Sequence, residues 1–171
     1  MDALDRLYAD HAAAVRGYAL RRTDAATADD VCAAVWSTAW RRIDHVPDDA
    51  LPWLFGVARR VLANERRGRQ RRWALHERLA GASGAGQAPA PELPSDRRLA
   101  RALAALRPAD REALLLVAWE ELSPQRAAAV LGVRPGTFAV RLHRARRRLA
   151  AALQDQDDAF EHRPSTLETT P

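Results

Sequence analysis

The stretch from Arg134 to Arg148 carries six arginines and no acidic residue. A guanidinium group binds phosphate oxygens and the edge of guanine through two parallel hydrogen bonds, so arginines on one helix suit contact with nucleic acid. The alternative is a helical hairpin whose arginines only keep it soluble. Such a hairpin would normally mix glutamates with its arginines, and the pattern therefore favours DNA binding.

Two helices joined by a tight turn would position these arginines. Ser123 is a typical N-cap residue, Pro124 suits the first helical position, and Gly132 stands where a helix usually ends. A second helix start follows at Pro135. One apolar stripe then recurs every three or four residues, at Phe138, Leu142, Ala145, Leu149 and Leu153. A short helix, a glycine-containing turn and a basic second helix predict a helix-turn-helix.

A second basic stretch lies earlier in the chain. Residues 53–78 carry eight arginines and two acidic residues, and the pattern predicts a helix from Pro52 with an apolar face that begins at Trp53 and Leu54. A merely solvated face is the alternative. However, arginines with so few acids repel one another, which favours an anionic partner. Two separate basic stretches indicate two contacts with a polyanion.

The N-terminal part has the opposite charge. Residues 1–52 carry six arginines and nine acidic residues, although the whole chain has a formal net charge of +5. Apolar periodicity predicts helices over residues 2–22 and 25–43, and Trp36 and Trp40 lie one turn apart on the second of them. This pair of tryptophans has two possible roles: it packs in the core, or it forms part of an exposed face that docks onto a partner.

Glycine, proline and small residues dominate residues 81–94, a composition that predicts a flexible linker. We therefore expect an all-α protein of two small helical domains, with domain bounds of 1–78 and 96–154. The linker would span 79–95, and an acidic, disordered tail would span 155–171. Shorter helices are predicted at 95–106 and from Pro108 onward.

Several classes of function find no support in the sequence. The single cysteine, Cys32, lies in an apolar helical pattern and suits a buried structural thiol, since it has no cysteine partner for a disulfide or a metal cluster. No glycine-rich phosphate loop, nucleophile motif or cofactor motif is found, so we expect no catalytic residue, no metal and no cofactor. Without an apolar run of membrane-spanning length or a signal peptide, a soluble cytoplasmic protein is expected.

The combined pattern resembles the extracytoplasmic-function (ECF) sigma factors, the minimal group of the bacterial sigma-70 family. The resemblance covers residues 3–153. Its three segments are ATADDVCAAVWSTAWRRID (26–44), PWLFGVARRVLANERRGRQRR (52–72) and ALAALRPADREALLLVAWEELSPQRAAAVLGVRPGTFAVRLHRARRRL (102–149). They are similar to regions 2.2, 2.3–2.4 and 4. The order WLFGVAR, linker, LGVRPGTFAVRLHRAR is a more specific signal than a helix-turn-helix alone.

The resemblance implies an RNA polymerase sigma factor that directs the core enzyme to promoters and initiates transcription. Region 2 would form a three- or four-helix bundle that binds core RNA polymerase, through its beta-prime and beta subunits, and melts the promoter −10 element. Region 4 would read the −35 element in the major groove. Promoter DNA and core polymerase are the implied partners, and an anti-sigma factor is a further candidate.

The resemblance also implies site residues by position. Those for core polymerase are Asp30, Ala33, Ala34, Ser37, Trp40 and Arg41. Those for the −10 element are Arg59, Arg60, Asn64, Arg67 and Arg71, with residues 44–51 as a capture loop. Those for the −35 element are Arg126, Arg134, Thr137, Val140, Arg141, Arg144 and Arg148.

This chain departs from the family pattern at each of these three sites. In region 2.4 it has Ala58-Arg59-Arg60 where the family usually has Ala-Arg-Asn, so the identity of the captured −10 base stays open. Ala33 and Ala34 replace a polar pair in region 2.2, which motivates the alternative of a helix-turn-helix regulator that does not engage core polymerase. Ala139 and Val140 replace a basic and a hydroxyl residue in the recognition helix. Fewer polar side chains therefore remain on this helix to contact base edges. We expect an atypical −35 sequence preference, with contact from Val140 to a thymine methyl group.

Overall fold

The computed structural model describes the backbone of residues 2–80 and 96–161, and the side chains of residues 2–76 and 96–156. Most of the predicted linker, and the tail after residue 161, lie outside these residues. The described elements are α-helices and one 3₁₀ turn (Ile43–His45), as the all-α prediction requires. The helices are α1 (Ala3–Leu20), α2 (Ala25–Arg41), α3 (Ala50–Ala80), α4 (Arg97–Ala105), α5 (Pro108–Ala118), α6 (Pro124–Leu131) and α7 (Pro135–Glu161).

The N-terminal domain is formed by α1, α2 and α3, which pack against one another. The first two helices begin at aspartate N-caps: Asp2 exchanges capping-box hydrogen bonds with Asp5, and the Asp24 carboxylate accepts the backbone N–H of Thr27 at 2.9 Å. The apolar faces meet in a core that includes Tyr18 and Phe55, whose rings stack with centroids 4.6 Å apart.

Helix α3 is longer than the sequence predicted. It begins at Ala50 instead of Pro52, because the N–H groups of a first helical turn have no intrahelical acceptor and a proline there loses no hydrogen bond. It also continues past residue 72 to Ala80, since no proline or strong breaker follows. Residues 79 and 80, which we assigned to the linker, are therefore helical.

The C-terminal domain is formed by α4 to α7, with α7 packed against the other three helices. Helix α6 begins at the predicted N-cap Ser123 and ends at Gly132, whose left-handed backbone (φ 65°, ψ 35°) lets the chain turn into α7. Helix α7 runs to Glu161, so the predicted start of the disordered tail at 155 is wrong for its first seven residues. No glycine or proline interrupts residues 137–161.

The two domains touch where α3 crosses α6. Gly56 of α3 makes this approach close: a Cβ atom added there would lie 3.7 Å from the carbonyl oxygen of Val130. Buried apolar residues of both domains form one continuous cluster. The chain is thus folded back on itself, with the helix-turn-helix against the N-terminal bundle.

Candidate nucleic-acid interface

The recognition helix α7 has one buried side and one open side. Phe138 and Leu142 are buried in the C-terminal domain. Thr137, Val140 and Arg144 are exposed and recur at spacings of three and four residues, which places them on one face. Exposed polar and basic side chains along one face of the second helix are what major-groove reading needs.

The remaining residues predicted for the −35 element differ in their accessibility. Arg134 is exposed and Arg141 is partly buried. Arg126 donates two hydrogen bonds to Asp49 of the N-terminal domain, from Nε to Oδ2 at 2.9 Å and from Nη2 to Oδ1 at 2.6 Å. Arg148 forms an ion pair with the buried Asp110 of α5. Two of the predicted arginines are therefore bound to carboxylates of this chain.

Helix α3 carries the second basic face. Arg60, Asn64, Arg67 and Arg71 follow one another at spacings of four, three and four residues, and all are exposed. The side of α3 that includes Leu54, Ala58 and Leu62 is buried in the bundle, so the predicted −10 residues project away from the core. Arg59 is also exposed. Arg67 donates a hydrogen bond to Oδ1 of Asn64.

The residues predicted to bind core polymerase lie along one face of α2. All are exposed except Ala34, which is partly buried, and Trp40 is 66% exposed. The neighbouring Trp36 is half-buried and contacts Tyr8 of α1, with ring centroids 4.8 Å apart. Tyr8 itself is 53% exposed, although it lies one residue after the partly buried Leu7. Together Tyr8, Trp36 and Trp40 form an aromatic surface on the N-terminal domain.

Sequence reasoning missed a group of charged residues between the domains, which we term the interdomain charge cluster: Arg21 and Arg22 after α1, and Glu112 and Glu120 of the C-terminal domain. Glu120 follows the C-terminal end of α5, and its side chain is only 2% exposed. Nη1 of Arg22 donates to Oε1 of Glu120 at 2.8 Å, and Nε of Arg22 donates to Oε2 of Glu112 at 3.1 Å. Arg21 donates to Glu120 from Nε at 3.2 Å. No local sequence signal pairs residues so far apart.

Ionisation in this cluster follows from its burial. Burial alone lowers the pKa of the Arg22 guanidinium, but Tyr18, Glu112 and Glu120 outweigh it, so the pKa rises and the group stays charged. Tyr18 donates its hydroxyl to Oε1 of Glu112 at 2.8 Å. Burial raises the pKa of the Tyr18 phenol well above its ordinary value, Arg22 opposes the rise, and Glu112 adds to it.

Cys32 is half-buried on α2 rather than fully buried. Burial raises the pKa of its thiol, Asp29 adds to the rise, and Arg16 opposes it. A raised pKa reduces the thiolate fraction and so the reactivity of the thiol. Within the described residues, no group of three or more histidine, cysteine or acidic side chains is placed to hold a metal ion. No helix in the same part of the chain has the length and apolarity needed to cross a membrane.

The fold and these surfaces define a two-domain helical DNA-binding protein with a helix-turn-helix. Residues 7–72 match the family model of sigma-70 region 2, and residues 96–149 match that of sigma-70 region 4. The chain is 36% identical to the ECF RNA polymerase sigma factor SigL of Mycobacterium tuberculosis over 87% of this chain and 88% of that protein. It is 33% identical to the RNA polymerase sigma factor CarQ of Myxococcus xanthus, over 89% and 90%.

Two solved structures are also similar to this chain. The sigma factor RpoE of Bartonella quintana, in complex with the anti-sigma factor NepR, is similar with a TM-score of 0.64 and 26% identity, over 88% of this chain and 96% of that one. CnrH, in complex with the cytosolic domain of CnrY, has a TM-score of 0.63 and 27% identity, over 89% and 88%. The chain belongs to the sigma-70 family and is an RNA polymerase sigma factor of the ECF group.

Proposed function

We propose that this sigma factor directs core RNA polymerase to its promoters through three surfaces. The exposed face of α2, centred on Trp40, binds the core enzyme. The basic face of α3 holds the unpaired −10 element, and the exposed face of α7 reads the −35 element in duplex DNA. The polymerase performs the chemistry, so this chain acts in the cytoplasm as a specificity subunit without catalytic residues of its own.

One observation carries this proposal: α7 buries Phe138 and Leu142 while it exposes Thr137, Val140 and Arg144 on a single face. A groove-reading helix needs this division, because one side must be fixed by packing while the other reaches base edges. The face of α3 supports the −10 role in the same way. Exposed arginines can follow a phosphate backbone.

The face of α2 supports the polymerase role. A 66% exposed tryptophan is unusual on a protein surface, and tryptophan and arginine are enriched where binding energy concentrates in protein interfaces. The neighbouring Ala33 and Ala34 do not close this face, since Ala33 is exposed and Ala34 only partly buried. This argues against a regulator that has lost its polymerase contact.

An anti-sigma factor is the proposed regulator. RpoE of Bartonella quintana was solved with an anti-sigma factor. We extend that partner class to this chain, because a sigma factor with exposed polymerase-binding and DNA-binding faces can be inhibited by a protein that covers them.

Run-off transcription with bacterial core polymerase on a pool of genomic promoter fragments tests the proposal. Transcripts that require this protein and share a −35/−10 pair support it. The R141A/R144A variant should lose these transcripts, whereas R146A, on the opposite side of α7, should keep them. Folded protein that binds DNA but yields no transcripts with core polymerase would instead identify a polymerase-independent regulator.

A further inference from the structure

The C-terminal end of α3 projects from the N-terminal domain. Among the described side chains of this helix, Leu62 is the last that is buried, and those of residues 70–76 are all exposed. The helical backbone continues to Ala80. Residues 70–80 therefore extend about 16 Å, at the helical rise of about 1.5 Å per residue. We term residues 66–80 the projecting end of α3.

Arginines surround this projecting end. Residues 66–76 contain five arginines and no acidic residue: Arg66, Arg67, Arg69, Arg71 and Arg72. At about 100° of rotation per residue, these five leave no sector wider than about 100° around the helix without an arginine. All are exposed except Arg69, which is partly buried and lies 3.7 Å from a carboxylate oxygen of Asp24. Like charges this close repel one another, which favours an anionic partner.

The proposed −10 role uses only one side of this helix, the side that carries Arg67 and Arg71. Arg66 and Arg72 lie on opposite flanks, each about 110–130° around the helix from the centre of that side. A single DNA strand held along the −10 side cannot contact both flanks. The partner of these two arginines must therefore reach around the helix.

Two apolar side chains are exposed among these charges. Trp73 is 40% exposed and Leu75 is 58% exposed, on sides of the helix that are about 160° apart. The match to sigma-70 region 2 ends at residue 72, so both residues lie beyond the part of α3 that the family model covers. Their exposure indicates that the partner offers apolar contacts as well as negative charge.

The major groove of duplex DNA has these properties. It is about 12 Å wide and admits an α-helix, and the methyl groups of thymine line its floor. Its walls carry the phosphates of the two strands, so a helix within it is contacted on several sides. Leucine-zipper proteins place a continuous basic helix in the groove in this way.

We propose that the projecting end of α3 is a third DNA-binding element, which lies in the major groove of the duplex between the −10 and −35 elements. Arg66 and Arg72 contact phosphates of the two strands, and Trp73 and Leu75 contact apolar groups within the groove. The position follows from the chain order, because α3 belongs to the −10 domain and its end leads towards the −35 domain. To that extent the inference rests on the proposed function.

The salt dependence of binding measures this contact. Each phosphate contact contributes about 0.9 to the slope of log affinity against log salt concentration. Loss of two contacts should lower the slope by about 1.8. Between about 50 and about 200 mM salt, the native chain should therefore lose about tenfold more affinity than a variant without these contacts.

The test compares two full-length variants with the same change in charge. R66Q/R72Q removes the arginines on the two flanks. R6Q/R101Q removes two exposed arginines, on α1 and α4, outside the proposed DNA-binding surfaces. Fluorescence anisotropy gives the affinity for a mixed-sequence DNA duplex over a salt series, and for an RNA duplex and a single DNA strand of the same sequence. Circular dichroism verifies helical folding.

We expect R66Q/R72Q to show a slope about 1.8 lower than R6Q/R101Q on the DNA duplex. On the RNA duplex the two variants should bind alike, because the major groove of A-form RNA is too deep and narrow for a helix. Equal slopes on DNA, or a native chain that binds no DNA duplex, would overturn the inference. An equal loss on RNA would also overturn it by showing general attraction to phosphates, and a loss confined to the single strand would assign these arginines to melted DNA.

A second variant decides the question if R66Q/R72Q misfolds. W73A/L75A keeps every charge, so it should bind the DNA duplex more weakly with an unchanged salt slope. W40A removes an exposed tryptophan from α2 and should bind the duplex like the native chain. Native affinity in W73A/L75A would contradict the groove contact. These measurements need neither polymerase nor promoter, so a failed third contact is distinguishable from a failed sigma function.

Discussion

Nη1 of Arg22 lies 2.8 Å from Oε1 of Glu120, although the two residues are 98 positions apart in the chain. One follows the last turn of α1, the other follows α5, and both side chains are at most 3% exposed. This ion pair therefore joins the domain that matches sigma-70 region 2 to the domain that matches region 4. Four predictions test the parts of the structure that the pair brings together.

Tyr18 should keep its proton as long as the protein is folded. Burial, followed by the influence of Glu112, holds the pKa of its phenol well above the value of about 10 found in unfolded chains. The folded form thus binds the proton more tightly. Its contribution to stability is complete below about pH 10 and is lost as the pH rises further.

The chain has two tyrosines, so Y8F leaves Tyr18 as the only phenol. An ultraviolet titration of Y8F should show phenolate only together with loss of the helical circular dichroism signal. Phenolate that forms while the helices persist would contradict the burial of Tyr18. Y18F serves as the matched control, since its remaining phenol is the exposed Tyr8.

Alanine at Arg141 or Arg144 should weaken binding to the −35 duplex by about 1–3 kcal/mol each if the side chain contacts a base. Competition anisotropy between the native −35 sequence and altered sequences measures the loss and the change in specificity. R146A removes the same charge from the opposite side of α7 and should lower the affinity uniformly, by a smaller amount. Equal losses in all three variants would reduce the role of this face to general electrostatic attraction.

Replacement of Trp40 by alanine should weaken the complex with core polymerase by about 2 kcal/mol or more, as expected for a tryptophan at the centre of a protein interface. The thermal midpoint should hardly change, because Trp40 is 66% exposed and contributes little to the core. W73A removes another exposed tryptophan, on α3, and should bind the core enzyme like the native chain. Core-enzyme binding by W40A that equals the native affinity would refute the docking role of this face.

The stability of α2 should depend on the side-chain oxygen of its N-cap residue, Asp24. Hydrogen bonds from the backbone N–H and the hydroxyl of Thr27, each 2.9 Å long, lower the pKa of the Asp24 carboxyl. The stability that these hydrogen bonds contribute is fully present above the ordinary pKa of an aspartate. It is lost as the pH falls through the lowered pKa of Asp24. D24A should lower the thermal midpoint at neutral pH.

D24N supplies an oxygen at the same position and should retain most of the capping. It should also flatten the dependence of stability on acidic pH, since an amide does not titrate. If D24A and D24N melt at the same temperature as the native chain, the cap does not contribute to the stability of α2.

Much of the local structure was predictable because its causes lie within a few residues. Ser123, Pro124 and Gly132 fix where α6 begins and ends. The spacing from Phe138 to Leu149 fixes which side of α7 is buried. The C-terminal ends of α3 and α7 were harder to predict, because no helix-breaking residue closely follows residue 72 or residue 155. The structure shows that these helices continue to Ala80 and Glu161.

The sequence by itself determined the all-α class, the helix-turn-helix and the two basic helices, because these features follow from periodicity and capping along the chain. The order of its motifs carried the resemblance to the sigma-70 family. The tertiary structure alone decided that Glu120 is buried against Arg22, that Arg126 binds Asp49, and that Tyr8 is exposed. The physical reason is that burial and charge pairing depend on which surfaces meet. Where α3 crosses α6, residues tens of positions apart come together, and no local pattern in the sequence records that meeting.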